Sequence, residues 1–248
     1  MRGLTAWTGG LAGERDPAQP LLTMYAGGGR VELSGATTAN WVAKSANLLV
    51  DGLGGPQRVG LLLPLHWQIV TLLLAGVATG ATVVVARDAS GLAGCNAAFV
   101  SGEHAEAALS AGVEEVLALS GHPLGAALPA VPAMVQDYAR EVPSYADHWG
   151  GAAPAEVAVA GVRVEVGGRP LGPLPELGLS PSDRVLTAVD PADPLGLAGL
   201  LAVLHSGAAV VLIPFPAAVD LAAVTAAERI TATLGLAVSG RRSLDQPS

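Results

Sequence analysis

Residues 58–88 constrain the fold of this 248-residue chain more than any other stretch. Two short apolar runs, 59–63 and 81–86, lie on either side of a segment that Gly80 closes. Short runs of this kind indicate strands that helices cover on both faces. The intervening residues 66–79 predict a buried helix, because glycine favours the left-handed turn that ends helices. A strand, a helix and a strand joined this closely predict a right-handed parallel crossover.

The same pattern returns at residues 184–214 with one residue inserted. Two explanations stay open: buried crossover units resemble each other through their common residues, or the chain contains an internal repeat of two related β-α-β lobes. Both predict buried strands at 59–63, 81–86, 185–189 and 208–213 in an α/β fold, with mostly parallel sheets and helices on both faces. The matching groups are Arg58-Val59 with Arg184-Val185, Pro64 with Pro191, Leu73-Leu74-Ala75 with Leu200-Leu201-Ala202, Gly80-Ala81 with Gly207-Ala208, and Val83-Val84 with Val210-Val211.

The rest of the chain divides by composition. Residues 1–20 are expected to be a flexible N-terminus, 21–150 a first α/β lobe, 151–240 a second lobe and 241–248 a tail. A hairpin is predicted at 21–33, around the glycines at 27–29, and a helix is predicted to start near Ser34. Further strands are expected at 97–100, 116–119 and 156–166, with helices at 103–110 and 220–231. A long connection with one helical turn is expected across 121–156, which includes the stretch 137–141.

Composition excludes several classes of function. The net charge is −8 and the few basic residues are scattered, so nucleic acid is not an expected partner. The uncharged stretch at 59–86 contains Pro64 and Gly80, which argues against a transmembrane segment. One cysteine, Cys95, and an N-terminus without a long apolar run predict a cytoplasmic protein. With 51% hydrophobic and 14% charged residues, the surface suits self-association or a protein partner, and a small-molecule ligand is also possible.

The sequence supplies no complete catalytic set. The pairs Ser101 with His104 and Ser120 with His122 lack the glycine-flanked turn of a nucleophilic serine, and spacing places no acid beside them. The five histidines have no metal-ligand spacing. Lys44, the single lysine, is predicted to be solvated on its helix. We therefore assign no catalytic residue, no metal and no cofactor.

The chain nevertheless resembles the start of the AMP-dependent synthetases and ligases, which form acyl-adenylates from ATP and a carboxylic acid. The resemblance covers most of residues 20–235 and implies the fold of that family's N-terminal adenylating domain. It is also similar to a group of short, stand-alone bacterial relatives. The residues that carry it are Glu32-Leu33-Ser34, the helix at 41–49, Arg58-Val59 through Pro64, Gly80-Ala81, the run 182–186, Gly207-Ala208 with 210–212, and the helix at 220–231.

The sequence departs from that family where the chemistry lies. The family's phosphate loop of serine, threonine, glycine and lysine has its nearest remnant here in Gly167, Gly168 and Arg169, and residues 151–179 contain no serine, threonine or lysine. The family also uses a histidine after the strand of the second block, and the corresponding neighbourhood here is Asp190-Pro191-Ala192-Asp193-Pro194, which contains no histidine. The family's downstream half has no counterpart in this sequence. Loss of one donor that stabilises developing charge commonly costs about 10²–10³ in rate. We expect ATP with magnesium to bind no more tightly than about 1 mM.

Three hypotheses follow. The first is a degenerate, non-catalytic adenylating-like domain that binds a partner or small ligand. The second is an AMP-forming acid ligase of which this chain is one half, completed by another chain or a different loop. The third is an unrelated small-molecule enzyme, with its pocket at the carboxyl ends of the strands. The residues expected at that edge, which equally suit helix caps and turns, are His66, Trp67, Ser101, Asp190 and Asp193.

Overall fold

A computed structural model describes residues 16–150, 163–214 and 219–245. Most of the predicted N-terminal segment, the boundary at 151 and most of the strand expected at 156–166 lie outside these ranges. The elements in chain order are β1 (Pro20–Ala26), β2 (Gly29–Ser34), α1 (Gly35–Asn47), β3 (Arg58–Leu62), α2 (Trp67–Ala78), β4 (Thr82–Val85), β5 (Ala97–Ser101), α3 (Ala105–Ser110), β6 (Glu115–Leu119), β7 (Val135–Asp137), α4 (Tyr138–Glu141), β8 (Val164–Val166), β9 (Arg169–Pro170), β10 (Arg184–Thr187), α5 (Pro194–His205), β11 (Ala209–Leu212), α6 (Leu221–Ala227), β12 (Ala232–Leu234) and β13 (Arg242–Ser243).

The described strands form two sheets. Sheet A has the order β13-β12-β10-β11-β1-β2, and sheet B has the order β7-β6-β5-β3-β4-β8-β9. The hairpins β1–β2 and β8–β9 are antiparallel, and the other pairs in both sheets are parallel. The predicted α/β class with mostly parallel sheets is therefore confirmed.

The sheets and helices stack in five layers. Val83 and Val85 of β4 belong to a central core that α1, α2, α5 and the inner faces of both sheets share. Val84 points the other way, into a core formed with α3 and the turn Ala89–Leu92. On the far side, α6 covers the outer face of sheet A. Because α2 lies between two sheets, all of its residues are buried, which explains its lack of charge.

The two crossover units share register as well as element order. Val59 pairs with Val83 in the first unit, and the matching Val185 pairs with Val210 in the second. In each sheet the next strand along the chain, β5 or β12, lies on the other side of the first strand of the unit. Gly80 and Gly207 both follow their helices with positive φ, 83° and 80°. The prediction of two related, parallel β-α-β units is therefore confirmed.

Sheet membership does not follow the predicted boundary at residue 150. The hairpin β1–β2, from the first predicted lobe, pairs with β11 in sheet A, while β8–β9, from the second, pairs with β4 in sheet B. Each hairpin covers the equivalent edge of a crossover unit, where unpaired backbone groups would otherwise be exposed. The division into lobes stays a prediction about domains.

Two local predictions were wrong. The connection after β6 contains the expected helical turn, as α4, but also an unexpected strand, β7, which pairs with β6. Lys44 is not simply solvated, because its ammonium group donates to the carbonyl oxygens of Pro143 and Tyr145, at 3.2 and 2.5 Å. Strand β7 has only three residues, and the carbonyl groups that bind Lys44 lie about a hundred residues further along the chain. Neither feature leaves a sequence pattern. Among the described residues, no helix is long and apolar enough to cross a membrane.

A partly buried ion cluster around Glu228 joins the β1–β2 hairpin to the end of α6. The carboxylate of Glu228, 5% exposed, accepts hydrogen bonds from Arg30 Nε at 2.6 Å and from the Tyr25 hydroxyl at 2.7 Å, and it also contacts Arg184 Nη2. Burial acts to raise the pKa of Glu228, but these hydrogen bonds and the charge of Arg184 outweigh it and lower the pKa to about 2.

Replacing Glu228 by glutamine should lower the free energy of unfolding by about 3 kcal/mol, because it leaves two guanidinium groups without their shared carboxylate. Since the pKa is lowered on folding, the stabilisation should be complete above pH 4.5 and lost as the pH falls towards 2. Urea unfolding of wild type and variant from pH 3 to 7 measures this. The control, Glu32→Gln, removes a partly exposed partner of Arg30 and should cost less than about 1 kcal/mol. Equal losses in the two variants would contradict the prediction.

Candidate functional site

Sheet A has a topological switch point between β10 and β12. The connection from β10 to β11 passes through α5 on the inner face, and the connection from β11 to β12 passes through α6 on the outer face. Because the two connections leave in opposite directions, a crevice opens outside the carboxyl ends of these strands. A cavity of about 770 Å³ lies there. We call it the sheet A crevice.

The walls of the sheet A crevice are largely apolar and come from distant parts of the chain. Val189 follows β10, Leu234 ends β12, and Leu195 stands at the start of α5 with 83% of its surface exposed. The face of α5 presents Gly196 and Gly199, which let the helix backbone approach closely: a Cβ on Gly199 would lie 2.9 Å from Leu234 Cδ1. The full lining is Pro175, Glu176, Leu177, Ala188, Val189, Asp190, Asp193, Leu195, Gly196, Gly199, Leu234, Gly235, Arg242, Leu244 and Asp245.

The polar lining carries four carboxylates and one guanidinium group. Arg242 Nη2 donates to the Leu177 carbonyl oxygen at 2.7 Å, and Asp245 Oδ1 accepts from the Gly235 amide at 2.7 Å. Arg242–Ser243 is strand β13, so this part of the predicted tail belongs to sheet A. No sequence pattern marks Glu176, Arg242 and Asp245 as site residues, because the folding of distant segments brings them together.

Two of the five strand-end residues that the sequence predicts, Asp190 and Asp193, lie in the sheet A crevice. Asp193 is the N-cap of α5 and accepts from the Gly196 amide at 2.7 Å. Asp190 lies 3.1 Å from Arg87 Nη1, and Arg87 also donates to the Ala192 carbonyl oxygen at 3.2 Å. Since Arg87 follows β4, this pair joins the carboxyl edges of the two sheets at the mouth of the crevice. Both carboxylates keep partners that shape turns.

The other three residues, His66, Trp67 and Ser101, lie at the equivalent switch point of sheet B. His66 is the N-cap of α2 and matches Asp193 in the other unit; its Nδ1 accepts from the Gln68 amide at 3.2 Å. Residues 121–128, which we call the covering segment, lie over this point, and Trp67 Nε1 donates to the Pro123 carbonyl oxygen at 2.9 Å. The two switch points therefore differ, since that of sheet A is open and that of sheet B is covered.

His66 is a buried neutral histidine. Burial lowers its pKa to about 4, and the nearby main chain of His122 opposes this shift only in part. Because Nδ1 accepts a hydrogen bond, the ring proton of the neutral form lies on Nε2. Among the described residues, Nε2 has no hydrogen-bond partner. A buried donor left without an acceptor costs about 1–3 kcal/mol.

Gly167 and Gly168 form the exposed tip of the β8–β9 hairpin, and Arg169 is the first residue of β9. The two glycines have φ of 59° and 75°, close to the 59° and 74° of Gly27 and Gly28 at the tip of the β1–β2 hairpin. Positive φ at both central residues is typical of a two-residue hairpin turn. These residues do not line the sheet A crevice. Within the described ranges, no group of three or more His, Cys, Asp or Glu side chains is arranged to hold a metal ion.

The chain has the fold of the N-terminal part of acyl-CoA synthetases. An acyl-CoA synthetase from Brucella canis superposes with a TM-score of 0.71 at 16% identity, covering 94% of this chain and 47% of that one. A benzoate CoA ligase from Burkholderia xenovorans LB400 gives a TM-score of 0.68 at 17% identity, with coverages of 95% and 50%. The N-terminal domain of FACL13 from Mycobacterium tuberculosis gives 0.64 at 16% identity, with coverages of 95% and 63%. The chain spans about half the length of the first two.

A closer relative identifies the family. A Mycobacterium tuberculosis protein described as a TIGR03089 family protein is 36% identical over 225 residues, which cover 88% of this chain and 93% of that protein. No protein-family model matches the chain. The identity and coverage of this relative show that the chain belongs to the TIGR03089 family.

The shape of the sheet A crevice should depend on the absence of a side chain at Gly235. Its φ is 73°, and a Cβ there would lie 2.7 Å from Val189 Cγ1 and 3.1 Å from the Val189 amide nitrogen. Gly235→Ala should therefore lower the free energy of unfolding by about 1–3 kcal/mol for overpacking, beyond the cost of about 1–2 kcal/mol for the left-handed conformation.

Gly240 supplies the matched control for this substitution. It has the same φ of 73°, but its Cβ would have no neighbour within 4 Å. Gly240→Ala should lower the free energy of unfolding only by the cost of the left-handed conformation, about 1–2 kcal/mol. Thermal and denaturant unfolding of the two variants, side by side, measures the difference, and equal destabilisation would show that Val189 does not restrict position 235.

Proposed function

We propose that this chain is an adenylating-enzyme-like domain that binds a small molecule in the sheet A crevice and does not itself form acyl-adenylates. The observation that carries the proposal is the charge of the crevice. Four carboxylates line it, those of Glu176, Asp190, Asp193 and Asp245. Two guanidinium groups stand against them: that of Arg242, which already donates to a carbonyl oxygen, and that of Arg87, which pairs with Asp190 at the mouth.

This charge balance disfavours the reactants of adenylation. ATP and a carboxylate are both anions, and positive donors must offset the charge that develops between them. Two like unit charges about 8 Å apart repel each other by about 2 kcal/mol at an effective dielectric constant of 20. With Arg87 paired to Asp190 and Arg242 in the lining, the four carboxylates still leave the cavity net negative, which opposes a polyphosphate. The exposed hairpin at Gly167 and Gly168 lies outside the crevice lining and adds no donor to it.

The same lining suits a small neutral or positively charged ligand with an apolar part. Val189, Leu195, Leu234 and Leu244 provide the apolar contact, and the carboxylates at the mouth favour an ammonium or amidinium group. A carboxylate that also caps a turn is held in place, so it needs little ordering when a ligand binds.

The absence of adenylation is tested by calorimetry with ATP and magnesium. We expect an affinity no tighter than about 1 mM, or roughly 4 kcal/mol, and no pyrophosphate release with a panel of carboxylic acids. Arg169→Ala should change neither result, because Arg169 lies on the exposed β8–β9 hairpin. Micromolar affinity that Arg169→Ala abolishes would establish a phosphate site at the hairpin and contradict the proposal.

The charge preference of the crevice is tested with benzylamine and benzoate, which share a ring and differ in charge. We expect benzylamine to bind and benzoate not to bind, by chemical-shift mapping at residues 188–199. Asp193→Asn keeps a capping oxygen but removes the charge, and it should weaken benzylamine binding about tenfold, or about 1.4 kcal/mol. Asp220→Asn is the control, since Asp220 caps α6 in the same way on the outer face of sheet A. Preference for benzoate would refute the assignment.

A second candidate is a half-enzyme of the acid-ligase type that another chain completes. The observation in its favour is that the chain spans about half of the synthetase structures it resembles. The deciding experiment isolates the protein from its natural source, identifies any chain that co-purifies, and repeats the pyrophosphate assay with both. Release that requires both chains would establish this candidate in place of the first. A homo-oligomer that ATP does not stabilise against heat would exclude it.

A further inference from the structure

The covered switch point of sheet B contains polar and aromatic groups that the proposed function does not use. His66 and Trp67 follow the carboxyl end of β3 and Ser101 ends the neighbouring β5, in the position that the crevice occupies in sheet A. Since the two crossover units share register and caps, the same geometry that opens a crevice in sheet A should open one here. The covering segment occupies that space.

The covering segment is held firmly at its two ends and lightly at its tip. At one end, the Leu128 amide donates to Asp137 Oδ2 at 2.8 Å, and the Leu128 carbonyl oxygen accepts from Arg140 Nη2 at 3.2 Å. At the other end, Ser120 Oγ donates to the Ala126 carbonyl oxygen at 2.5 Å. The tip is bound to α2 by the hydrogen bond between Trp67 Nε1 and the Pro123 carbonyl oxygen, and the main chain of His122 lies close enough to the His66 ring to raise its pKa. Leu124, at the tip, is 70% exposed, so it adds little apolar burial to hold the segment down.

Beneath the tip lies an unpaired donor with aromatic neighbours. His66 is 6% exposed, and its Nε2 has no hydrogen-bond partner among the described residues. The ring of Trp67 lies 5.4 Å from that of His66 and 5.1 Å from that of Trp41. His66, Trp67, Gln68 and Ser101 are uncharged, and burial of a charged ligand beside them would be costly. The arrangement favours a planar, neutral molecule with one hydrogen-bond acceptor.

We propose that the switch point of sheet B is a cryptic binding site for a small, neutral, planar molecule, which enters when the tip of the covering segment lifts from Trp67 and accepts a hydrogen bond from His66 Nε2. The site is separate from the sheet A crevice and does not depend on the function proposed for it. If the open form is about 1% of molecules, closure weakens apparent affinity about 100-fold.

The first test uses benzamide, which is neutral and planar and has a carbonyl acceptor, with benzoate as its charged counterpart. We expect benzamide, but not benzoate, to shift the resonances of Trp67 and residues 120–128. His66→Asn keeps an oxygen that can cap α2, but its shorter amide group does not reach the position of the Nε2 donor, so benzamide should bind about tenfold more weakly. Asp193→Asn, in the sheet A crevice, should leave benzamide binding at the sheet B site unchanged.

The second test opens the covering segment. A Cβ at Gly125 would lie 2.9 Å from both Trp67 Cζ2 and Gln68 Nε2, so Gly125→Ala should push the tip away from α2. Gly121→Ala is the matched control, with φ of 68° against 67° and no atom within 4 Å of its Cβ. Gly125→Ala should speed hydrogen exchange at residues 121–126 and tighten benzamide binding about tenfold relative to Gly121→Ala.

Several outcomes would overturn the proposal. These are an absence of benzamide binding in both wild type and Gly125→Ala, equal binding by wild type and His66→Asn, or faster exchange in Gly125→Ala without tighter binding. Loss of benzamide binding in Asp193→Asn alone would assign the ligand to the sheet A crevice instead. None of these results alters the expected behaviour of ATP or benzylamine, so the two proposals fail independently.

Discussion

The burial of α2 and α5 between two parallel sheets is the constraint on which the rest of the structure depends. A helix covered on all sides cannot carry charge, and α2 has none. The two sheets must then present apolar inner faces, and their outer faces need separate cover from α3 and α6. Charge is consequently excluded from the centre and collects at the two ends of the strands, where the ion pairs and the candidate sites lie.

The amino and carboxyl ends of the strands carry different kinds of interaction. At the amino ends, each crossover unit begins with an arginine that reaches a distant carboxylate: Arg58 forms a two-point pair with Glu165 at 2.8 and 3.2 Å, and Arg184 contacts Glu228. The Arg58 pair holds the pKa of Glu165 below its usual value. These pairs bind hairpins and helix ends to the sheets. The carboxyl ends, with fewer compensated charges, keep the space in which a ligand can be held.

The two crossover units share one architecture but differ in the chemistry of the crevice beside each of them. His66 and Asp193 occupy the same place, each as the N-cap after the first strand of its unit. In sheet A this place adjoins an open, acidic crevice, whereas in sheet B the chain itself covers a neutral, aromatic one. A carboxylate and a neutral imidazole can each accept the capping hydrogen bond, so the fold leaves the chemistry of each crevice free to differ.

The sequence by itself determined the crossover units and their pairing, because apolar runs, a turn glycine and helix caps are local signals that act within a few residues. It also placed His66, Trp67, Ser101, Asp190 and Asp193 at strand ends, since the end of a strand can be located from its pattern. Only the tertiary structure decided that these residues separate into two sites, that Glu176, Arg242 and Asp245 complete one of them, and that residues 121–128 cover the other. It also decided which hairpin completes which sheet. The physical reason is that an unpaired strand edge or an open crevice can be covered by any segment of matching shape. The residues of the edge do not specify how far along the chain that segment lies, so local sequence patterns cannot identify it.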